Sequence, residues 1–447
     1  MKKVSLVLGM VLFAGMAMSQ NSVSTTQIGG SNKAIVSQSG AKNDATIRES
    51  GNFNEASVTQ TGLNEATIEQ NSSAANVGEK NLITVNQSSS ELKSAATVYQ
   101  GKIPGYTSKK ATATVDQTGA GNNKAEIYMH FTSSGQNDGS FIVQDGKDNY
   151  AKSDLRSNQG QYEFTSINQK GFDNSATQLK NDEREGSMII KQTSFTEDMG
   201  NTATQYTRKD HARALYIEQI GAKNSANEDI FKGSNATIVQ YGDWNTAEIY
   251  SPWESASNNA AILQGDVTAV GLSKTVGAGL VATSSNNWAK LEQANGSNTA
   301  TLVQKGLGNN TINLKQNGSD FADIMQDGYF NKVKGLGVNI WAKGKSLTVD
   351  QIGTRNELSI EADGTVGVTQ DNHTIASASA LGNKIEFSQA GGGTSNLSQT
   401  GGDANLIKLT KTGGGSADIT QTGNTNKVAM FDDVFGAAGV TGAALFN

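Results

Sequence analysis

The chain has 447 residues, of which only 36% are hydrophobic and 6% aromatic, with 50 glycines, 2 prolines and no cysteine. A conventional apolar core would therefore be thin, and disulfide frameworks and thiolate metal sites are excluded. The formal net charge of −6, spread over charges of mixed sign, argues against a nucleic-acid partner.

Lys2 and Lys3 precede an apolar run from Val4 to Ala17, followed by small and polar residues to Gln20. This layout predicts a secretory signal peptide over 1–19, cleaved near Ser19. The run is short for a membrane span, so the mature chain is expected not to span a membrane.

From Gln27 onward one phrase recurs, Gln-x-Gly-x-x-Asn. It begins at Gln27, Gln38, Gln117, Gln144, Gln169, Gln219, Gln240, Gln304, Gln326, Gln351 and Gln421. In its fullest copies it continues as Asn-x-Ala-x-aliphatic-x-Gln. Asn32, Ala34, Val36 and Gln38 show this, and Asn54, Ala56, Val58 and Gln60 repeat it. Strict alternation marks a strand with one buried face. Asp44, Thr46 and Arg48, or Glu55, Ser57 and Thr59, then face solvent.

The glycine after each glutamine ends the strand. Gly29, Gly40, Gly146, Gly171, Gly221 and Gly242 are the predicted corners, because glycine tolerates positive φ. Strand plus turn takes about eleven residues, and two such units make one coil. The predicted fold is all-β: a β-solenoid of stacked strand–turn–strand coils, about 22 residues per coil, over 20–430. Coils stacked at about 4.8 Å bury alanine and aliphatic side chains in a narrow interior. Inward glutamines and asparagines then lie over their counterparts and can form amide ladders, since an amide both donates and accepts. Scarce proline agrees, because proline cannot donate to a strand ladder.

The pattern is uneven near 71–110, 128–140, 181–215, 250–288 and 335–346, which include Pro104 and Pro252. These stretches are expected to be loops extruded at the corners of the solenoid. The apolar segment 431–447 departs from the repeat. It reads as a cap over the last coil or as a docking or secretion tail.

No catalytic constellation emerges. His130, His211 and His373 are far apart, and pairs such as Asp182/Glu183 and Asp432/Asp433 fall in irregular polar segments. No enzyme activity, metal or cofactor is expected.

The phrase Gln-x-Gly-x-x-Asn-x-Ala-x-x-x-Gln, clearest from Gln27 to Gln38 and in the copy starting at Gln38, resembles the curlin repeat of bacterial curli fibres. The resemblance implies an extracellular functional amyloid at the bacterial cell surface. Such subunits pass an outer-membrane secretion apparatus unfolded and polymerise with themselves and related subunits into fibres for biofilm and adhesion. It places fibre-core roles on Gln27, Asn32, Gln38, Asn43, Gln144, Asn149, Gln169, Asn174, Gln219, Asn224, Gln240 and Asn245. Departures include the length of the chain and larger residues at the alanine position, such as Thr311, Val333, Leu358 and Val428. Main fibre subunit, nucleator and monomeric capped surface adhesin all remain open.

Overall fold

The computed structural model describes residues 20–73, 80–100, 110–131, 138–157, 163–181, 186–208, 214–231, 234–252, 258–265, 286–294, 298–317, 321–329, 332–335, 343–354, 357–361, 363–371, 384–389, 394–400, 406–411, 417–422 and 427–432. The predicted signal peptide and residues 433–447 of the predicted tail lie outside them. The chain divides into two compact units, Met1–Ala222 and Lys223–Asn447. Each is a parallel β-solenoid, and no helix occurs among the described residues.

In the first unit the strands are β1 Ser22–Ile28, β2 Lys33–Ser39, β3 Asp44–Asn52, β4 Asn54–Ser73, β5 Asn81–Gln100, β6 Thr112–Gly121 and β7 Lys124–Phe131. They continue as β8 Gly139–Lys147, β9 Tyr150–Ser157, β10 Glu163–Phe172, β11 Ser175–Asn181, β12 Gly186–Thr193, β13 Thr202–Arg208 and β14 Ala214–Ile220. β4 and β5 are long because each runs through a corner and supplies both strands of a coil.

The strand pairings are parallel and join a strand to its equivalent one coil away, as β1 with β3, β6 with β8 and β10 with β12. Like residues therefore meet. Ala34, Val36 and Gln38 pair with Ala56, Val58 and Gln60, and Gln144 pairs with Gln169. The alternation read from sequence appears directly in the burial of β6 and β14, where every second side chain is inside. Ile142, Ile167, Ile190 and Ile217 form one continuous inward row, each 0% exposed. A buried isoleucine contributes about 2–3 kcal/mol over an exposed one, so each rung of this narrow row gives the stack apolar support.

The second unit repeats the scheme with β15 Ser225–Phe231, β16 Asn235–Tyr241, β17 Thr246–Ser251, β18 Asn259–Gln264, β19 Trp288–Ala294, β20 Thr299–Gly308, β21 Thr311–Asn317 and β22 Phe321–Tyr329. β23 to β31 follow, between Lys332 and Asp432. The backbone register carries the glutamine row from Gln240 through Gln264, Gln304, Gln326, Gln351, Gln370 and Gln399 to Gln421. Phe431 and Asp432 end β31, Lys427–Asp432, so the repeat pattern of strands reaches into the segment read as a tail. Pro252 follows β17 directly, where the ladder has ended. Pro104 lies outside the described residues.

The stretches read as extruded loops are a correction. Most of their described residues are strands of the stack: β5 falls within 71–110, β12 and β13 within 181–215, and β18 within 250–288. The turn phrase is missing there, but the inward alternation is not. Ile83, Val85 and Gln87 lie under Ala56, Val58 and Gln60, although Ser88 and Ser89 replace the usual corner. A coil requires inward apolar residues and a terminal amide. Its corner can vary, and the spacing between rungs of the glutamine row runs from 19 residues (Gln351 to Gln370) to 40 (Gln264 to Gln304).

Candidate functional site: amide ladders and the open first coil

A corner that follows the full phrase uses two residues of left-handed backbone. The first is glycine: Gly29, Gly40, Gly146, Gly171, Gly221 and Gly242 have φ of 111°, 88°, 135°, 91°, 126° and 100°. A side chain on Gly146 would put Cβ 2.0 Å from the Gly171 carbonyl oxygen, so close coil-to-coil approach also demands glycine. The second is the residue before the buried asparagine, including Ser31, Lys42, Phe53, Asp148, Asp173, Lys223 and Trp244, with φ between 53° and 60°. Sequence reasoning missed this second position because its residue type varies. Only the frequent Asp there carries a signal, since Asp and Asn tolerate this region best.

The inward glutamines form a directional ladder. In the first unit Nε2 of one rung donates to Oε1 of the next, from Gln38 to Gln60, Gln87, Gln117, Gln144, Gln169, Gln192 and Gln219, at 2.7–2.9 Å. The second proton of each amide crosses the coil. Gln38, Gln60, Gln144, Gln169 and Gln219 donate to the backbone oxygens of Ser22, Asp44, Lys124, Tyr150 and Thr202. One side chain thus ties its strand to the next coil and to the opposite strand of its own coil. Chains of such bonds polarise one another in a dry interior. In the second unit Gln240, Gln264, Gln304 and Gln326 repeat the arrangement at 2.7–3.0 Å, and Gln240 reaches the Ser225 oxygen.

The asparagines run with the opposite polarity. Asn54 Nδ2 donates back to Asn32 Oδ1, Asn43 to Asn21, and Asn174 to Asn149. The same side chains close the corners, as Asn43 donates to the Ser39 oxygen at 2.8 Å and Asn174 to that of Lys170 at 3.0 Å. In the second unit the Asn245 backbone amide donates to Asn224 Oδ1, and Asn224 Nδ2 donates to the Gly242 oxygen.

Gln27, Asn32 and Gln38 are half-buried in the first coil. Asn43, Gln144, Asn149, Gln169, Asn174, Gln219, Asn224, Gln240 and Asn245 are at most 1% exposed. The ladder also takes in residues outside the phrase: Gln87 and Gln192 in this row, and Gln70 and Gln100 in the opposite one. Their signal was the alternation of strand residues rather than the turn. In two copies the phrase names the wrong asparagine. Asn122 and Asn309 take the left-handed corner, and their neighbours Asn123 and Asn310 are buried. At Gln192 the usual corner gives way to Ser194. Its hydroxyl donates to the Phe172 oxygen and accepts from the Phe172 amide and from Asn174.

The opposite row of the first unit is irregular. Gln27 is followed by Glu49, Gln70 and Gln100, and then by Met129, Leu155, Lys180 and Thr207. Outside, opposite charges stack along the axis: Lys33 and Lys80 on Glu55 at 3.0 and 2.6 Å, Arg48 on Glu69 at 3.3 Å, and Lys93 on Glu65 at 2.7 Å. Hydrogen bonds from Lys80 and Lys33 hold the Glu55 carboxyl below its ordinary range. Such pairs contribute little each, but they remove the repulsion that an in-register parallel stack would otherwise create.

The first coil is open. Among the described residues β1 pairs only with β3 and β2 only with β4. Val23, whose equivalent one coil on is the buried Ala45, is 44% exposed. His130 lies on β7, while His211 and His373 lie outside the described residues. Among the described residues no three His, Cys, Asp or Glu side chains converge, and no helix is long and apolar enough to cross a membrane.

The family model of the curlin associated repeat matches residues 20–48, the stretch that forms this open coil and the start of the next. No curated protein matches the chain.

Proposed function

We propose that the chain is a secreted, curli-like structural subunit that self-assembles into extracellular amyloid fibres supporting biofilm matrix and cell adhesion. The observation that carries the reading is the open first coil. Among the described residues its two strands pair on one side only, and they carry half-buried Gln27, Asn32 and Gln38 in the register that later rungs repeat. An added strand in that register would gain backbone bonds, a continued glutamine row and a continued asparagine row together. The curlin associated repeat at 20–48 supports the same reading. Residues 1–19 act as the export signal, and the mature chain reaches the cell surface through an outer-membrane apparatus. The role is structural, with no reaction, metal or cofactor assigned.

A second reading draws on the same geometry. Within each unit most strand edges are already satisfied inside one chain, so a monomeric surface adhesin or a fibre nucleator would also be stable. Electron microscopy and fibre diffraction on purified residues 20–447 separate the two. Fibres with spacings of about 4.8 and 10 Å are expected. A monomer at all concentrations that still binds surfaces would replace the fibre reading with the adhesin.

A further inference from the structure

Glu49 occupies a glutamine position in the ladder. Its strand pairs Gln27 with Glu49 and Glu49 with Gln70. Gln27 Nε2 donates to Glu49 Oε2 at 2.5 Å, and Gln70 Nε2 donates onward to Gln100 Oε1 at 3.1 Å. Between them the ladder is broken. Glu49 Oε1 and Gln70 Oε1 are both buried and both lack a hydrogen-bond partner. The ladder runs from amide nitrogen to the next oxygen, and an ionised carboxylate can accept but cannot donate. The same unpartnered oxygen appears at Gln178 and Gln293, each of which begins a fresh ladder segment toward Gln205 and Gln316. Gln70 is thus left as a ladder start, although a polar side chain stands one rung before it.

We propose that Glu49 is a protonation-controlled joint. Neutral, its carboxyl donates the hydrogen bond that Gln70 lacks and makes the row continuous from Gln27 to Gln100. Ionised, it leaves two buried oxygens with no hydrogen between them and loosens the first coils.

The surroundings favour the neutral form. Glu49 is 2% exposed, and burial, opposed by the Gln27 hydrogen bond and assisted by the charge of Glu55, raises its pKa from 4.5 to about 7. On its own strand Asp44 and Arg48 face outward, and β1 has no titratable side chain. On β4 Glu65 and Glu69 are engaged by Lys93 and Arg48, and Glu55 is engaged by Lys33 of β2 and by Lys80. Among the described residues, therefore, no cation engages Glu49. A cavity of about 290 Å³ bordered by Thr26, Ile28, Arg48 and Glu69 touches Glu49, Gln70 and Gln100, giving the proton a route to solvent. Because the folded pKa lies above the unfolded one, the stabilisation is complete at acid pH and is lost as pH rises through about 7.

The joint acts within one chain, so its test does not depend on fibre formation. Hydrogen exchange of residues 20–447 is followed from pH 4.5 to 8.5 and corrected for intrinsic rates. Protection of 44–52 and 64–73 should fall at least tenfold across pH 7, against a ceiling of about 300-fold set by the shift. Glu49→Gln should hold the acid level of protection at every pH, since a glutamine both accepts from Gln27 and donates to Gln70. The outward Glu69→Gln variant should keep the dependence of the parent chain. Flat protection in the parent, the same dependence in Glu49→Gln, or a Glu49→Gln chain that fails to fold would each overturn the proposal.

Discussion

Replacing Gln144 by leucine tests whether the ladder, rather than apolar burial, holds consecutive coils together. Gln144 is fully buried, accepts from Gln117 at 2.7 Å, and donates to Gln169 Oε1, the Lys124 oxygen and the Asn149 oxygen at 2.8, 3.1 and 2.9 Å. Leucine nearly conserves volume but removes all four contacts. Gln117 Nε2 keeps its bond to the Ala95 oxygen, so the donor side loses only part of its satisfaction. Gln169 Oε1 loses its donor inside the stack, at a penalty of about 1–3 kcal/mol. Two lost net bonds at about 1 kcal/mol each, less about 1 kcal/mol of added apolar burial, bring the total to roughly 2–4 kcal/mol. In a repeat array that loss acts on neighbouring coils, so it should appear as local opening before global unfolding. Hydrogen exchange should show lower protection in β6, β8 and β10, with a denaturation midpoint below that of the outward control Thr114→Ala. If Gln144→Leu lies within about 0.5 kcal/mol of that control, the inward amides are passive filler and the ladder argument fails.

Other expectations follow from the same geometry. Gly146→Ala should prevent correct stacking of its coil, because the new Cβ would lie 2.0 Å from a backbone oxygen at a φ of 135°. Asp148→Gly, two residues on, should be neutral or slightly stabilising, by up to about 1 kcal/mol, because it relieves a left-handed non-glycine residue; circular dichroism melts of the two variants should move apart. Ile167→Ala should lose about 2–5 kcal/mol in chemical denaturation, since Ile167 is 0% exposed between Ile142 and Ile190. Glu55 has its pKa lowered by Lys80 and Lys33, so its contribution is present above 4.5 and is lost as pH falls further. Urea midpoints between pH 5 and 3 at low salt should drop less for Glu55→Gln than for the parent, by under about 1 kcal/mol given the exposure of the pair.

The architecture was readable in the one-dimensional pattern because a solenoid is close to one-dimensional itself. Alternation at Ala34, Val36 and Gln38 places those residues inside whatever the neighbours are, and a glycine two positions after the glutamine marks the corner. The turn phrase was a poorer guide than the strand. It passed over the coil containing Gln87 and Gln100, and it chose Asn122 and Asn309 where Asn123 and Asn310 are buried. Corners are solvent-exposed and absorb insertions, whereas inward positions meet an identical row above and below and tolerate little change.

Sequence by itself determined the strand period, the inward set and the need for amides to find partners. Only the three-dimensional stack decided which rung meets which, because register depends on how many residues each corner absorbs. It also decided the opposed directions of the glutamine and asparagine rows, since a hydrogen bond acquires direction only when its neighbours are in place. The joint at Glu49 is visible only there: a glutamate among glutamines is a conservative change in the sequence, and it becomes a missing donor once Gln70 lies against it.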